Sequence, residues 1–223
     1  MKAEDSSDAQ VRSNFTFNFL IGAKALSKIA EEIDKKGNDA TETERLQHRA
    51  FVAGSIMQSV SALESEVWTL LNYGPGHHLD KDDQDLESKR ILSIVSKCFD
   101  KKSIMIKYDM VLQLFRGKKL DCEKERLQDL KLVIELRNEI THFKSFFTNE
   151  MDSKKLFKKL QKKDSKPPSF YPHNGMNFFP NICLTFRRSE WALKTVILFI
   201  DYYYKELELK SPLDILDRQL ITI

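Results

Sequence analysis

An all-α fold, an up-and-down bundle of about six to seven helices, follows from three observations on this 223-residue chain. Seven glycines and six prolines are few for the length, so long runs are free of helix breakers. Apolar residues within those runs return at spacings of three and four, the helical period. No alternating apolar–polar run reads convincingly as a strand.

Taken in order, the first 13 residues are polar and acidic and predict a disordered terminus, leaving one domain over 14–223. The pattern predicts a helix from Phe15 to Lys35 that ends at KKGN, where Gly37 suits the left-handed position past a helix C-terminus. Thr41 and Glu44 have capping-box spacing and open a second helix, which runs to about Asn72 and stops at YGPG. Its apolar seam is Leu46, Ala50, Ala53, Met57, Val60, Val67 and Leu71, broken at Glu64. Gly54, Ser55, Ser59 and Ala62 adjoin the seam and permit close helix approach. After an acidic loop, Asp85 can cap a third helix through about Phe99, and Ser103–Phe115 forms a fourth before Gly117.

Asp121 can then cap a long helix reaching about Phe147. Its stripe is Leu127, Leu130 and Ile134, and the next position in that series is Arg137; Val133, Leu136, Ile140 and Phe143 widen the buried face. Residues 152–163 predict a short lysine-rich helix, and 164 to about 187 a proline-punctuated loop, together an insertion in the bundle. Ser189 can cap the final helix, Glu190 to about Lys210, which is apolar almost all round between 195 and 204 and therefore expected at the centre of the core.

Composition excludes several classes. A formal charge of +3 is too small to imply a polyanion partner, so any such signal must be local. Three scattered cysteines fit a reducing compartment better than a disulfide framework or a zinc site. The N-terminus lacks the pattern of a signal peptide, and TVILFI at 195–200 is far shorter than the ~20 residues that span a bilayer. A soluble, cytoplasmic protein with no membrane partner is expected. Phosphate-cradling glycine loops, dinucleotide fingerprints and hydrolase elbows are absent. His77 and His78, near Asp80, Asp82, Asp83 and Asp85, make a weak metal candidate without a completing ligand, and His48 and His173 are isolated. No metal or cofactor is expected.

The informative stretch is RNEITH, residues 137–142. On an ideal helix Arg137 and His142 lie roughly 140° apart and cannot both face one point, whereas Asn138 and His142 share a face. Embedded in ELRNEITHF, the pattern resembles the signature of the HEPN superfamily (higher eukaryotes and prokaryotes nucleotide-binding domain): an arginine, a polar residue, and a histidine after a short spacer. The segment SIMQSVSALESEVWTLLN resembles that family's glutamate-bearing early helix, and the likeness spans roughly residues 42–210. Lys144 stands where toxin members often carry a tyrosine, a departure from that branch.

The resemblance implies a metal-independent endoribonuclease, acting as a homodimer in prokaryotic antiviral defence or as a toxin, with an antitoxin or activating partner possible in such systems. Arg137 and His142 would carry catalysis and Asn138 would position phosphate or His142. The chemistry is consistent with those types. Histidine titrates near neutrality and can take the 2′-hydroxyl proton or protonate the leaving 5′-oxygen. A guanidinium matches the oxygens of the phosphorane-like transition state. A twofold dimer would supply two of each across one cleft.

Glu64 and Arg137 each interrupt an apolar seam, and either charge buried alone is costly, so the two are expected to meet, with Glu64 holding Arg137. The other view leaves Glu64 at the seam's edge, in solvent. Lys154, Lys155, Lys158, Lys159, Lys162 and Lys163 form a basic stripe opposite Leu156, Phe157 and Leu160. With Arg187 and Arg188 it can track an RNA backbone; a solvated face or a site for an acidic partner fits the same pattern. Tyr171, Phe178 and Phe179 can stack on bases, or pack on the bundle. A non-catalytic scaffold of the same fold, binding RNA or a protein partner, is the alternative to the nuclease.

Overall fold

The computed structural model describes residues 15–75, 97–121, 123–143, 155–163 and 178–214, with isolated positions at 91, 94, 168, 170 and 221. Among them lie six α-helices and no strand: α1 (Thr16–Lys35), α2 (Glu42–Tyr73), α3 (Ile104–Arg116), α4 (Glu125–Thr141), α5 (Lys155–Lys162) and α6 (Phe186–Glu206). The protein is an all-α helical bundle. Ile91, Ile94 and Lys97–Phe99 are also helical, within the predicted third helix; its proposed cap, Asp85, lies outside the described residues, as do 1–13, His77, His78 and His173. No helix among the described residues is long and apolar enough to cross a membrane, and none of their acidic, His or Cys side chains cluster to hold a metal.

The expected punctuation forms. Gly37 takes φ 56° beyond α1. Thr41 and Glu44 close the capping box on α2, with Glu44 N–H donating to Thr41 Oγ1 at 3.2 Å and Thr41 N–H to Glu44 Oε2 at 2.8 Å. Ser103 caps α3, and Gly117 ends it at φ 63°.

Two caps differ. Asp121 serves a turn rather than a helix: its carboxylate accepts the Glu123 N–H at 3.2 Å, and α4 begins only at Glu125. Thr185, not Ser189, caps α6, accepting the Arg188 N–H at 3.1 Å. Ser189 is instead buried inside the helix, its hydroxyl 2.7 Å from that of Ser27 on α1. The ends of α4 and α6, at Thr141 and Glu206, also fall short of the predicted Phe147 and Lys210.

Helices α1 and α2 pair along most of their length. The contact uses the small face of α2: Ser55 Oγ donates to the Ala23 carbonyl at 2.7 Å, an approach that only short side chains allow. That geometry rotates α2 away from the predicted seam in its first half. Val52, Ser55, Ile56 and Ser59 are buried, whereas Leu46 and Met57 are 54% and 39% exposed. In the second half Val60, Val67 and Leu71 are buried as expected.

Helix α6 is the central element. Leu193, Val196, Phe199 and Tyr203 are fully buried, and Tyr203 packs edge-on against Tyr108 of α3 with ring centroids 4.7 Å apart. Each buried phenol finds an acceptor: Tyr203 donates to the Tyr108 carbonyl at 2.9 Å and Tyr108 to the Leu63 carbonyl at 3.0 Å. Burial pushes both hydroxyl pKa values well above the ordinary tyrosine value. A third phenol, Tyr204, donates to Glu66 Oε1 at 2.5 Å, while Thr16 donates to the other oxygen at 3.0 Å. Glu66 is fully buried, so one carboxylate joins α1, α2 and α6.

Candidate functional site

The second half of α2 presents Glu64, Ser65 and Trp68 toward α4, whose Ile134, Arg137 and Asn138 face back across a cleft of about 640 Å³. The turn from Asp100 to Ser103 and the first coil of α3, with Lys107, close the third side. The expected Glu64–Arg137 pair forms: Arg137 Nη2 donates to Glu64 Oε1 at 2.5 Å. Both views of Glu64 contain part of the outcome, since its side chain is 40% exposed while that of Arg137 is 20% exposed. Arg137 Nε is buried and makes no hydrogen bond among the described residues. Glu64 anchors the guanidinium through Nη2, and the exposed part of the side chain faces the cleft.

Asn138 is exposed on the cleft wall, and its carbonyl accepts the His142 N–H at 2.9 Å. His142 is the C-cap of α4, with φ −110° and ψ 32°, and is exposed. The ideal-helix angle between Arg137 and His142 thus does not apply, because the second residue has left the helix. It does not line the cleft. The next residue, Phe143, packs on Phe179 at 5.6 Å between centroids, and Phe179 on Phe157 of α5 at 5.0 Å. His142 therefore lies one turn from Asn138 on one side and beside this aromatic stack on the other.

The stack fixes the lysine helix. Leu156, Phe157 and Leu160 are buried, as their spacing predicts. Lys163 at the far end pairs with Asp129 near the start of α4, so α5 runs antiparallel to α4. Lys155, Lys158, Lys159 and Lys162 are exposed, Lys163 is partly buried in its ion pair, and Lys154 lies outside the described residues.

Arg188 must be removed from the proposed basic surface. It is 3% exposed, and its Nη2 donates to the carbonyls of Leu160 and Lys163 at 3.1 and 3.2 Å, capping α5 from beneath over the Trp191 ring. Arg187 is exposed and remains available. Phe179 is 5% exposed and packs on the bundle rather than offering a base platform; Tyr171 and the Phe178 side chain lie outside the described residues.

Sequence reasoning missed three polar side chains. Glu66, two residues from Glu64, is the fully buried carboxylate of α2. His48 is fully buried against Phe170, with no hydrogen bond to either ring nitrogen among the described residues. Burial, and secondarily Arg49, lowers its pKa to about 4. Lys107 is 7% exposed, its ammonium 4.0 Å from the centroid of the Trp68 ring. None of the three is marked by a motif; an unpaired lysine on an apolar helix face offered the faintest hint. Cys183 is inert: burial pushes its thiol up to about 12.

The cleft gathers Arg137 and Asn138 on one wall, while His142 stands exposed one turn beyond it. No protein-family model, curated protein or solved structure matches the chain.

Proposed function

We propose that the protein is a metal-independent endoribonuclease of the HEPN type, in which RNA crosses the α2–α4 cleft with Arg137 and Asn138 on its phosphates and His142 in proton transfer. The observation that carries this reading is the tethered guanidinium. Arg137 is oriented by Glu64 and its side chain is still 20% exposed at a cleft that Asn138 also lines. Fixed positive charge of this kind stabilises a phosphorane-like transition state without reorganisation. The exposed lysines of α5 support a path for the rest of the strand, because the Phe143–Phe179–Phe157 stack holds that helix next to His142. A second copy of the chain, apposed about a twofold axis, supplies the second histidine the two proton transfers call for. Action in antiviral defence or toxicity, under an antitoxin or activating partner, belongs to the same proposal.

A non-catalytic RNA-binding scaffold is the second reading, favoured by one observation: the cleft is lined by Arg137 and Asn138 but not by His142. Incubating wild-type and His142→Ala protein with a labelled RNA pool in EDTA separates the two. Cleavage by wild type alone, leaving 2′,3′-cyclic phosphate and 5′-hydroxyl ends, supports the nuclease. RNA binding that needs the α5 lysines, with no cleavage by either protein, supports the scaffold. Equal cleavage by both removes His142 from the chemistry.

A further inference from the structure

We propose that the Lys107 end of the cleft is a binding site for a phosphate group, held by the Lys107 ammonium and the opening turn of α3. The inference extends the reading of the cleft as an RNA site, and rests on that reading only for where the phosphate comes from.

Lys107 is the principal observation. Its side chain is almost wholly buried, yet it makes no hydrogen bond or ion pair among the described residues and has only the Trp68 face beneath it. An ammonium carries three donors, and an aromatic face answers one side of it. The stem is buried while the ammonium is not among the enclosed unpartnered donors, so its free donors open on the cleft, where the acceptor oxygens of a ligand can meet them. Burial already holds the Lys107 pKa below the ordinary lysine value, with Asp100 and Glu64 pulling the other way. An anion seated against the ammonium would offset that burial.

The turn beside it supplies a second donor group. Ser103 caps α3 by accepting the Ile106 N–H at 3.4 Å, while the N–H groups of Ile104 and Met105 have no acceptor one turn back within the helix. They and the helix dipole favour negative charge at that end. Glu64 and Arg137 pair with each other, which leaves three lysines (Lys101, Lys102, Lys107) lining the cleft against one carboxylate, Asp100. A tetrahedral phosphate can accept from the ammonium and the helix end together while presenting its remaining oxygens to Arg137. The ligand chemistry is a phosphate group, from an RNA backbone or from a terminal or free monoester.

Trp68 is the reporter. In a Trp191→Phe background of the full chain, tryptophan fluorescence is followed during titration with inorganic phosphate, and separately with a diribonucleoside monophosphate lacking terminal phosphate. The expected result is a saturable change with at least one probe, weakened about tenfold in Lys107→Met and restored by Lys107→Arg. Response to the dinucleotide alone identifies a backbone site; response to phosphate alone identifies a monoester site. Lys107→Met should melt no lower than its parent without ligand. Should it fail to fold, the exposed pair Lys101→Ala/Lys102→Ala must weaken binding instead. No saturable response in the parent protein, or undiminished binding in the lysine variants, overturns the proposal. Lys107-dependent binding without any RNA cleavage keeps the site and refutes the nuclease; His142-dependent cleavage with phosphate binding indifferent to Lys107 does the reverse.

Discussion

His48 makes the bundle acid-sensitive by a calculable amount. Its imidazole is fully enclosed, and burial brings its pKa from the ordinary 6.5 to about 4. The unfolded chain therefore takes up a proton as pH falls below about 6.5, while the folded chain resists until about pH 4. Stability is unaffected above that window, declines as pH falls through it, and levels off below. At pH 5 the loss relative to pH 8 is about 2 kcal/mol, from the proton-binding difference integrated over the window. For a chain of this size that is about 4–8 °C in Tm. His48→Leu removes the titrating group and two buried nitrogens that lack hydrogen bonds. Differential scanning calorimetry of both proteins at pH 8, 6 and 5 isolates the effect, because carboxylates elsewhere titrate alike in each. The variant should lose about 2 kcal/mol less than wild type over that range. Parallel declines would refute the reasoning and place the acid sensitivity elsewhere.

Other consequences are as direct. Glu64→Gln keeps an acceptor for Arg137 but removes the charge, so stability should fall by about 1 kcal/mol and RNA cleavage or binding should drop with it; unchanged activity and Tm would deny the pair any role. Tyr204→Phe strips a donor from the buried Glu66 and should cost about 1–3 kcal/mol in urea unfolding. Gly117→Ala, at φ 63° in open space, should cost about 1–2 kcal/mol from backbone strain alone. Replacing Lys155, Lys158, Lys159 and Lys162 by glutamine should flatten the salt dependence of RNA affinity by about 3 in log–log slope, at unchanged Tm. Arg188→Ala should do the opposite, lowering Tm while leaving that slope in place.

The fold was largely legible because its signals are local. A capping box needs two residues three apart, and an apolar period needs only its own helix, so α2 and the buried face of α5 could be read directly. The seam of α2 was misread over Leu46–Met57 because a 32-residue helix meets more than one partner. Which face each partner takes depends on the distance of approach, here set by Ser55 and Ala23. The Glu64–Arg137 pair was foreseeable, since two charges in two seams ask for each other. Arg187 and Arg188 illustrate the limit: adjacent arginines look alike in sequence, yet they lie about 100° apart on α6, one in solvent and one beneath α5. Lys107 needed the third dimension entirely, because what distinguishes it is the indole under its ammonium and the lack of a hydrogen bond or ion pair to it among the described residues.

The knot at Glu66 also bears on how the chain is made. Its first hydrogen-bond partner, Thr16, is synthesised 50 residues before it, but Tyr204 emerges 138 residues after it. Over that interval the α1–α2 hairpin carries a carboxylate on the face that must later be dry, and only the arrival of α6 completes its shell. Long-range closure of this kind delays the committed step until α6 has been made. The same carboxylate, kept hydrated until then, would discourage the nascent hairpin from burying that face against a neighbouring chain on the same message.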